Sequence, residues 1–529
     1  MFTQRFIIIV LLVIFSAALF LTGISKSALW EEDEVWYAQV SREISTSGDF
    51  ATLTFGGEPF FHKPPLFYWA EAICGKAFGF SEVSVRMVSV VSAVLTVVLT
   101  FLIGELLFST EVGALAGVIL ATSFQYFIQA KLAYLEPLLV FFMALAVYFF
   151  IKGYFKDKPA YYIWFYVAAS LATLTKGPIG ILLPAGAIFL FLALQKEWRQ
   201  IICVFFNWGL LLFAVIVPPW YIIETLKFGP SFLMENIGYH QVTRFAKGAE
   251  THAEPWYYNF VSLFLGFLPW STFVPAGLLF AARRIKQKPI LLLVLWAGVI
   301  FVFFTISVSK LPGYLLPVFV PLSILVAAML AAFWKEEDGV TGRGIFSSFL
   351  FLVLLLLSLA AMFFYVVAAK GPMVTGGFGV AIGSLRPLAY LLGGGALAGL
   401  AAFLLKPKKA YFFWVIVVWV AVLNIYFMYW LVPTIESFRP MKPLGEKIAA
   451  TAGPLDRVAS YNYFSRGLMF YSRRNPAVVK NGKELAAYLS APGRAYVAMY
   501  DTEYEQVKRV VDGKAKVLLR ANHGVLITN

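Results

Sequence analysis

The chain is poor in charge. Only 14% of its 529 residues are Asp, Glu, Lys or Arg, against about 25% in a soluble globular domain. A single water-facing globule is therefore excluded for most of its length. Two cysteines, Cys74 and Cys203, are too few for a disulfide framework. The four histidines show no His-x-x-x-His spacing and the cysteines no Cys-x-x-Cys spacing, so no zinc motif is written in the sequence. No internal repeat and no low-complexity tract is visible. Residues 7–21 are apolar enough for a signal peptide, but no small-x-small cleavage site follows them and further spans come later. They are expected to stay as a first helix.

What the chain has in place of charge is hydrocarbon: 60% hydrophobic residues, with 52 Phe and 14 Trp. Apolar runs of roughly 20 residues mark membrane spans. They fall near 6–24, 84–108, 112–130, 135–152, 161–175, 178–194, 201–223, 258–280, 289–307, 311–334, 345–369, 387–405 and 410–432. The expected fold is an α-helical integral membrane protein of about 13 spans. Basic clusters occupy every second loop, the very short turn near Glu111 excepted: Lys152/Lys156/Lys158, Lys196/Arg199, Arg283/Arg284/Lys286/Lys288, Lys335/Arg343 and Lys406/Lys408/Lys409. The positive-inside rule places these in the cytoplasm with Arg5. That use of the +14 net charge argues against a nucleic-acid partner. An odd number of spans then puts residues 25–83, 224–257 and the C-terminal tail outside. Residues 1–435 are read as a transmembrane domain whose first outer loop is 25–83. Residues 436–529 are read as a separate small α/β domain, with strands at Val458–Tyr463 and Arg494–Tyr500 and helices over 482–490 and 502–511.

The outer loops carry the residues that simple membrane insertion does not need. Trp30-Glu31-Glu32-Asp33-Glu34 sets four acids at the mouth of the first span. One or two acids would serve a helix N-terminus; four exceed that use, and a carboxylate there can take a proton from a hydroxyl or hold a cation. Farther along, Trp36, Val40 and Ile44, and then Leu66, Ala70, Ile73 and Ala77, recur at helical spacing, the pattern of helices lying in the membrane interface. Between them, in His62-Lys63-Pro64-Pro65, Lys63 is held before a helix start whose free N–H groups favour an anion. Lys131, Lys176-Gly177-Pro178 and Lys310-Leu311-Pro312-Gly313-Tyr314 place three more lysines and Tyr314 on the same side, with Glu136 nearby. Each lysine alone could be a helix-terminal cation snorkelling to water. Together with Glu34 they predict a lined substrate cavity. His240, Arg244 and His252 lie in the outer loop before Glu254-Pro255-Trp256-Tyr257-Tyr258. Arg244 suits a phosphate, the aromatic run suits a membrane belt or a sugar wall, and His62 with His252 is the candidate pair for a divalent metal.

Gly57-Glu58-Pro59-Phe60-Phe61-His62-Lys63-Pro64-Pro65-Leu66 after Asp33-Glu34 resembles the first outer loop of bacterial lipid-linked sugar transferases. These include the lipid A 4-amino-4-deoxy-L-arabinose transferases and relatives of the protein O-mannosyltransferases. Thr175-Lys176-Gly177-Pro178, Phe267-Leu268-Pro269-Trp270-Ser271 and Ser309-Lys310-Leu311-Pro312-Gly313-Tyr314-Leu315-Leu316-Pro317 extend the likeness over the membrane part. The resemblance implies a GT-C fold in the bacterial inner membrane, with active site and C-terminus in the periplasm. It also implies transfer of a sugar from a polyprenyl phosphate to lipid A or another envelope glycan. By it Asp33 and Glu136 are the catalytic acids, and Lys63, with Arg244, Lys310 and Tyr314, meets the donor phosphate. His62 stands where the family usually has an acid, and Glu136 where it usually has Asp. Two other expectations stay open: a protein hydroxyl as acceptor, and a lipid or sugar transporter. The transporter has the weaker footing, because the charges gather at the outer boundary instead of the bilayer midplane.

Overall fold

A computed structural model describes residues 2–247, 253–335, 339–370, 374–375, 380–381, 385–405 and 410–529. Each of the 13 apolar runs is helical in it. By length and composition, nine helices among the described residues can cross a membrane alone, and 11 spans result if two bent pairs each count as one. The runs at 161–175 and 178–194 are helices Tyr161–Lys176 and Ile179–Leu194, each 16 residues long and thus short for a full crossing.

The two bent spans explain each other. Thr110–Ala121 meets Phe124–Ala130 at 69°, and Tyr258–Gly266 meets the segment Trp270–Arg283 at 112°. A break in a membrane helix frees backbone groups that lipid cannot satisfy. Here the breaks face one another. Phe124 N–H donates to the Leu268 carbonyl at 2.9 Å, and the Trp270 indole N–H donates to Thr122 Oγ1 at 2.9 Å. Around them Trp270, Phe273, Phe319 and Leu120 are fully buried.

The first outer loop forms helix Asp33–Ser47, a two-residue-per-strand hairpin Thr54–Phe55/Glu58–Pro59, and helix Leu66–Phe78. Val40 and Ile44 of the first helix pack on Phe60, Phe67, Tyr68 and Ala72, while Ile73 points outward at 59% exposure. The hairpin turn is pinned by Glu43, whose carboxylate accepts the Gly56 and Gly57 N–H groups at 2.7 and 3.2 Å. Both glycines have positive φ, +66° and +86°, a conformation that is cheap only without a Cβ.

The C-terminal region is a five-stranded sheet in the order Ala477–Val479, Arg457–Tyr461, Ala495–Tyr500, Gly524–Thr528, Lys516–Ala521. The first three strands are parallel, the remaining pairings antiparallel. Helices Gly482–Ser490 and Asp501–Val511 cover it. Helix Arg466–Ser472 turns toward the membrane part and packs on helix Asp33–Ser47, with Phe470 buried among Leu29, Val35, Ala38, Val85 and Ala133. The two regions are therefore joined over the first outer loop. Cys74 and Cys203 are free thiols.

Candidate functional site

The interfacial helix Asp33–Ser47 places Asp33, Trp36 and Tyr37 on one side of a cavity of ≈950 Å³. His62 and Lys63 enter from the extended segment before Pro64-Pro65, whose prolines exclude a helix until Leu66. Glu136 enters from the start of its span and Lys176 from the end of another. Glu235, Tyr239, His240 and Arg244 come from loop 224–257, which here is largely helical. Met234–Thr243 is a π-helix, a rare geometry concentrated at functional sites. Leu311 and Tyr314 complete the wall.

Within this chamber the charges divide into paired and unpaired. Lys176 Nζ lies 2.6 Å from Glu136 Oε1 and 4.5 Å from the centre of the Tyr314 ring. Asp33 and Lys63 make no ion pair or hydrogen bond among the described residues. Asp33 is the first helical residue and not the cap, and the cap position, Glu32, makes no side-chain capping bond; as a first-turn acid Asp33 faces the positive end of the helix dipole. Burial, then the negative charge of Glu136, raises the Asp33 carboxyl above its ordinary range, while Lys176 and Lys63 pull it back. Burial, then Lys176 and Arg244, lowers the Lys63 ammonium to about 7. A cation destabilised by its neighbours gains most from an anion. The buried Nε of Arg244 also has no partner. Together they offer unused donors to an anion.

A second groove shares Lys63, Lys176, His240, Arg244 and Tyr314 with the chamber and continues along Pro178, Ile179, Leu182, Phe245, Phe303 and Phe304. The polar chamber thus opens onto an apolar channel through its cationic wall.

Three sequence expectations are corrected by position. Glu34 does not line the cavity. It is fully buried, pairs with Arg86 at 2.8 Å and accepts the Trp30 and Ala133 N–H groups at 3.1 and 2.6 Å. Lys310 is 4% exposed and donates to the Glu254 and Ser307 carbonyls at 3.0 and 2.6 Å. It clasps the loop backbone and does not line the chamber. Lys131 donates to the Thr22 carbonyl at 2.6 Å and lines a different cavity of ≈300 Å³ with Trp30, Phe127 and Met428. In all three, at least one partner is distant in sequence: Arg86 and the Ala133 N–H for Glu34, the Glu254 carbonyl for Lys310, the Thr22 carbonyl for Lys131.

Of the metal expectation, His252 lies outside the described residues. His62 lies beside His240, ring centres 4.3 Å apart and tilted, and among the described residues one ligand atom each from His62, Glu235 and His240 lie within 4.8 Å of one another. Burial, with Lys63 and Arg244 nearby, lowers His62 to about 4 and His240 to about 3, so both imidazoles are neutral at pH 7 and able to ligate. The buried His240 Nδ1 has no partner. This donor set fits a divalent ion. Glu235, Tyr239 and His240 had no sequence signal beyond His240 itself.

Residues 62–222 match the family described as dolichyl-phosphate-mannose-protein mannosyltransferase. The undecaprenyl phosphate-alpha-4-amino-4-deoxy-L-arabinose arabinosyl transferase 1 of Pseudomonas fluorescens is 30% identical over 369 residues, 69% of this chain and 66% of its own. The corresponding transferase of Edwardsiella ictaluri is 30% identical over 316 residues, 58% of this chain and 57% of its own. The chain thus spans less than two thirds of either. ArnT from Cupriavidus metallidurans bound to undecaprenyl phosphate superposes with a TM-score of 0.79 at 21% identity, covering 98% of this chain and 97% of that one. The chain has the GT-C fold and resembles the lipid-linked 4-amino-4-deoxy-L-arabinose transferases.

Proposed function

We propose that this protein is a membrane glycosyltransferase that moves a sugar, 4-amino-4-deoxy-L-arabinose, from a polyprenyl phosphate to lipid A on the periplasmic face. The observation that carries the reading is the joint between chamber and groove. Unpaired Lys63 and the partnerless Arg244 Nε stand where a polar cavity meets an apolar channel. A phosphate with an isoprenoid tail has that division of chemistry. The basic loops on the opposite side support an outer position for this face.

In the transfer, the bond between the sugar's anomeric carbon and the donor phosphate oxygen breaks, and polyprenyl phosphate leaves with the electron pair. Lys63 and Arg244 stabilise the charge that develops on it. An acceptor oxygen attacks the anomeric carbon from the opposite face, inverting it. An acceptor phosphate is already ionised and needs only orientation by Asp33. An acceptor hydroxyl passes its proton to Asp33. Glu136 holds Lys176 beside Tyr314, keeping that cation on the chamber wall.

The decisive experiment supplies the purified protein with undecaprenyl phosphate-linked aminoarabinose and lipid A, and follows lipid A by mass spectrometry. Addition of the sugar is expected. Unmodified lipid A overturns the acceptor, and sugar found on an added protein instead would favour the hydroxyl-acceptor reading that the mannosyltransferase match suggests.

Lys63→Ala is expected to weaken undecaprenyl phosphate binding by about 1.5–3 kcal/mol, the range for a hydrogen bond to a charged group. Thermal stability should hold, because Lys63 has no protein partner to lose among the described residues. Wild-type affinity in a folded variant would remove Lys63 from the phosphate site.

A further inference from the structure

The C-terminal domain reaches two residues that line the chamber, Trp36 and Glu32, through a cation, Arg466. Its helix Arg466–Ser472 is fixed to the first outer loop by bonds that do not involve the Arg466 side chain. Ser465 Oγ and the Gly467 N–H both donate to the Glu31 carboxylate at 2.8 Å. Arg42 Nη1 donates to the Phe470 carbonyl at 2.6 Å. Tyr471 OH receives the Leu29 N–H at 2.8 Å and donates to Glu82 at 2.9 Å. Docking is complete without Arg466.

The Arg466 guanidinium lies 4.5 Å above the Trp36 ring and makes one 3.3 Å contact with Glu32. Trp36 and Glu32 both line the chamber, and Glu32 is the neighbour of Asp33 in the chain. The pair is loose: the Glu32 side chain is 82% exposed and that of Arg466 27% exposed. Exposed pairs of this kind contribute little. Stacking on the indole holds the guanidinium plane but leaves its edge of N–H donors available. A planar fork with spare donors takes a phosphate in two parallel hydrogen bonds. Donor and acceptor phosphates brought into one chamber repel each other, so an acceptor anion needs a cation of its own, apart from Lys63 and Arg244.

We propose that Arg466 binds an anionic phosphate group of the lipid acceptor at the chamber mouth, with the Glu32 carboxylate holding the place of that phosphate when acceptor is absent. The proposal rests on the glycosyl-transfer reading and adds a role for the C-terminal domain in acceptor choice.

The test compares wild type, Arg466→Gln, Arg466→Lys and Glu32→Gln as full-length protein in detergent. Transfer is titrated with bisphosphorylated lipid A, and undecaprenyl phosphate binding is measured separately. Direct binding of the same lipid A, without donor, is read in parallel. Arg466→Gln is expected to raise the acceptor KM about 10-fold, the loss of one charge-assisted bond, with kcat and undecaprenyl phosphate affinity within about twofold. Arg466→Lys should recover part of the affinity as a point charge without the fork. Glu32→Gln should lower the acceptor KM, since a competitor is gone. Equal lipid A binding by wild type and Arg466→Gln overturns the proposal, as does a Glu32→Gln variant that weakens acceptor like Arg466→Gln. Wild-type protein that binds lipid A through Arg466 but transfers no sugar would sink the function reading and leave this site standing.

Discussion

Asp33→Asn is expected to lower turnover about 100-fold or more if the acceptor is a hydroxyl, the scale on which a positioned general base contributes, while undecaprenyl phosphate binding persists. The substitution keeps the size of the side chain and removes only the charge. It also leaves the helix start intact, because the Asp33 carboxylate makes no capping bond. The structure adds a pH signature. Burial and Glu136 raise the Asp33 carboxyl above its usual range. A base must be ionised to act, so wild-type kcat/KM should fall as pH drops through that raised pKa, and the acid limb should lie above about 4, the ordinary carboxylate value. The Asn variant should lose this limb. With an acceptor phosphate no proton is moved, and the loss should appear in acceptor KM with kcat less affected. Normal turnover and normal acceptor KM together would strip Asp33 of any role in transfer.

The part of the site that was legible in the sequence is the part where charge sits beside hydrocarbon without a local reason. Asp33, Lys63, Glu136, Lys176, Arg244 and Tyr314 all reach one chamber from segments hundreds of residues apart. Each was visible because turn-making or capping does not require it. The same criterion failed at Glu34, Lys131 and Lys310. Their partners are Arg86 on a neighbouring span, the Thr22 carbonyl at the end of the first helix, and the carbonyls of Glu254 and Ser307. A sequence shows a surplus charge but not the fold that turns it onto a carbonyl or a buried countercharge, near (Ser307) or far (Glu254, Thr22, Arg86) along the chain. Glu235, Tyr239 and Arg466 escaped for the opposite reason. They lie in polar surroundings where a charge or a phenol is ordinary, and only the π-helix Met234–Thr243 brings the first two to the cavity, and the docking of helix Arg466–Ser472 brings Arg466 against its lining residues Trp36 and Glu32.

The broken spans show the same limit in the fold. Hydropathy found the runs at 112–130 and 258–280 but could not tell that both bend, since a span and a bent pair have equal apolar content. What makes the bends stable is mutual: Phe124 N–H on the Leu268 carbonyl and the Trp270 indole on Thr122. One pair of elements satisfies the other, a relation that no single segment encodes.

The neighbouring acids Asp33 and Glu34 are expected to fail in opposite ways. Glu34→Gln should destabilise the protein by about 3–5 kcal/mol, the cost of removing one partner from a buried pair. The Arg86 guanidinium is 1% exposed and keeps its bonds to the Ile24, Ser27 and Ala28 carbonyls at 2.6, 3.0 and 3.2 Å. Its charge, however, would lose the one carboxylate it is hydrogen-bonded to, leaving only the more distant Glu82 to offset it. The glutamine amide can still accept the Ala133 N–H, so shape and one hydrogen bond survive and the loss isolates the charge. Those three carbonyls lie in the connection between the first span and helix Asp33–Ser47, and Ala133 precedes Glu136. Loosening Glu34 therefore frees both the entry to helix Asp33–Ser47 and the turn that aims Glu136. Thermal unfolding in detergent should drop sharply for Glu34→Gln and stay near wild type for Asp33→Asn, whereas turnover per folded molecule should show the reverse order of loss. A Glu34→Gln variant as stable as wild type would mean that Arg86 finds its counterion elsewhere, and the structural assignment of Glu34 would fall with it.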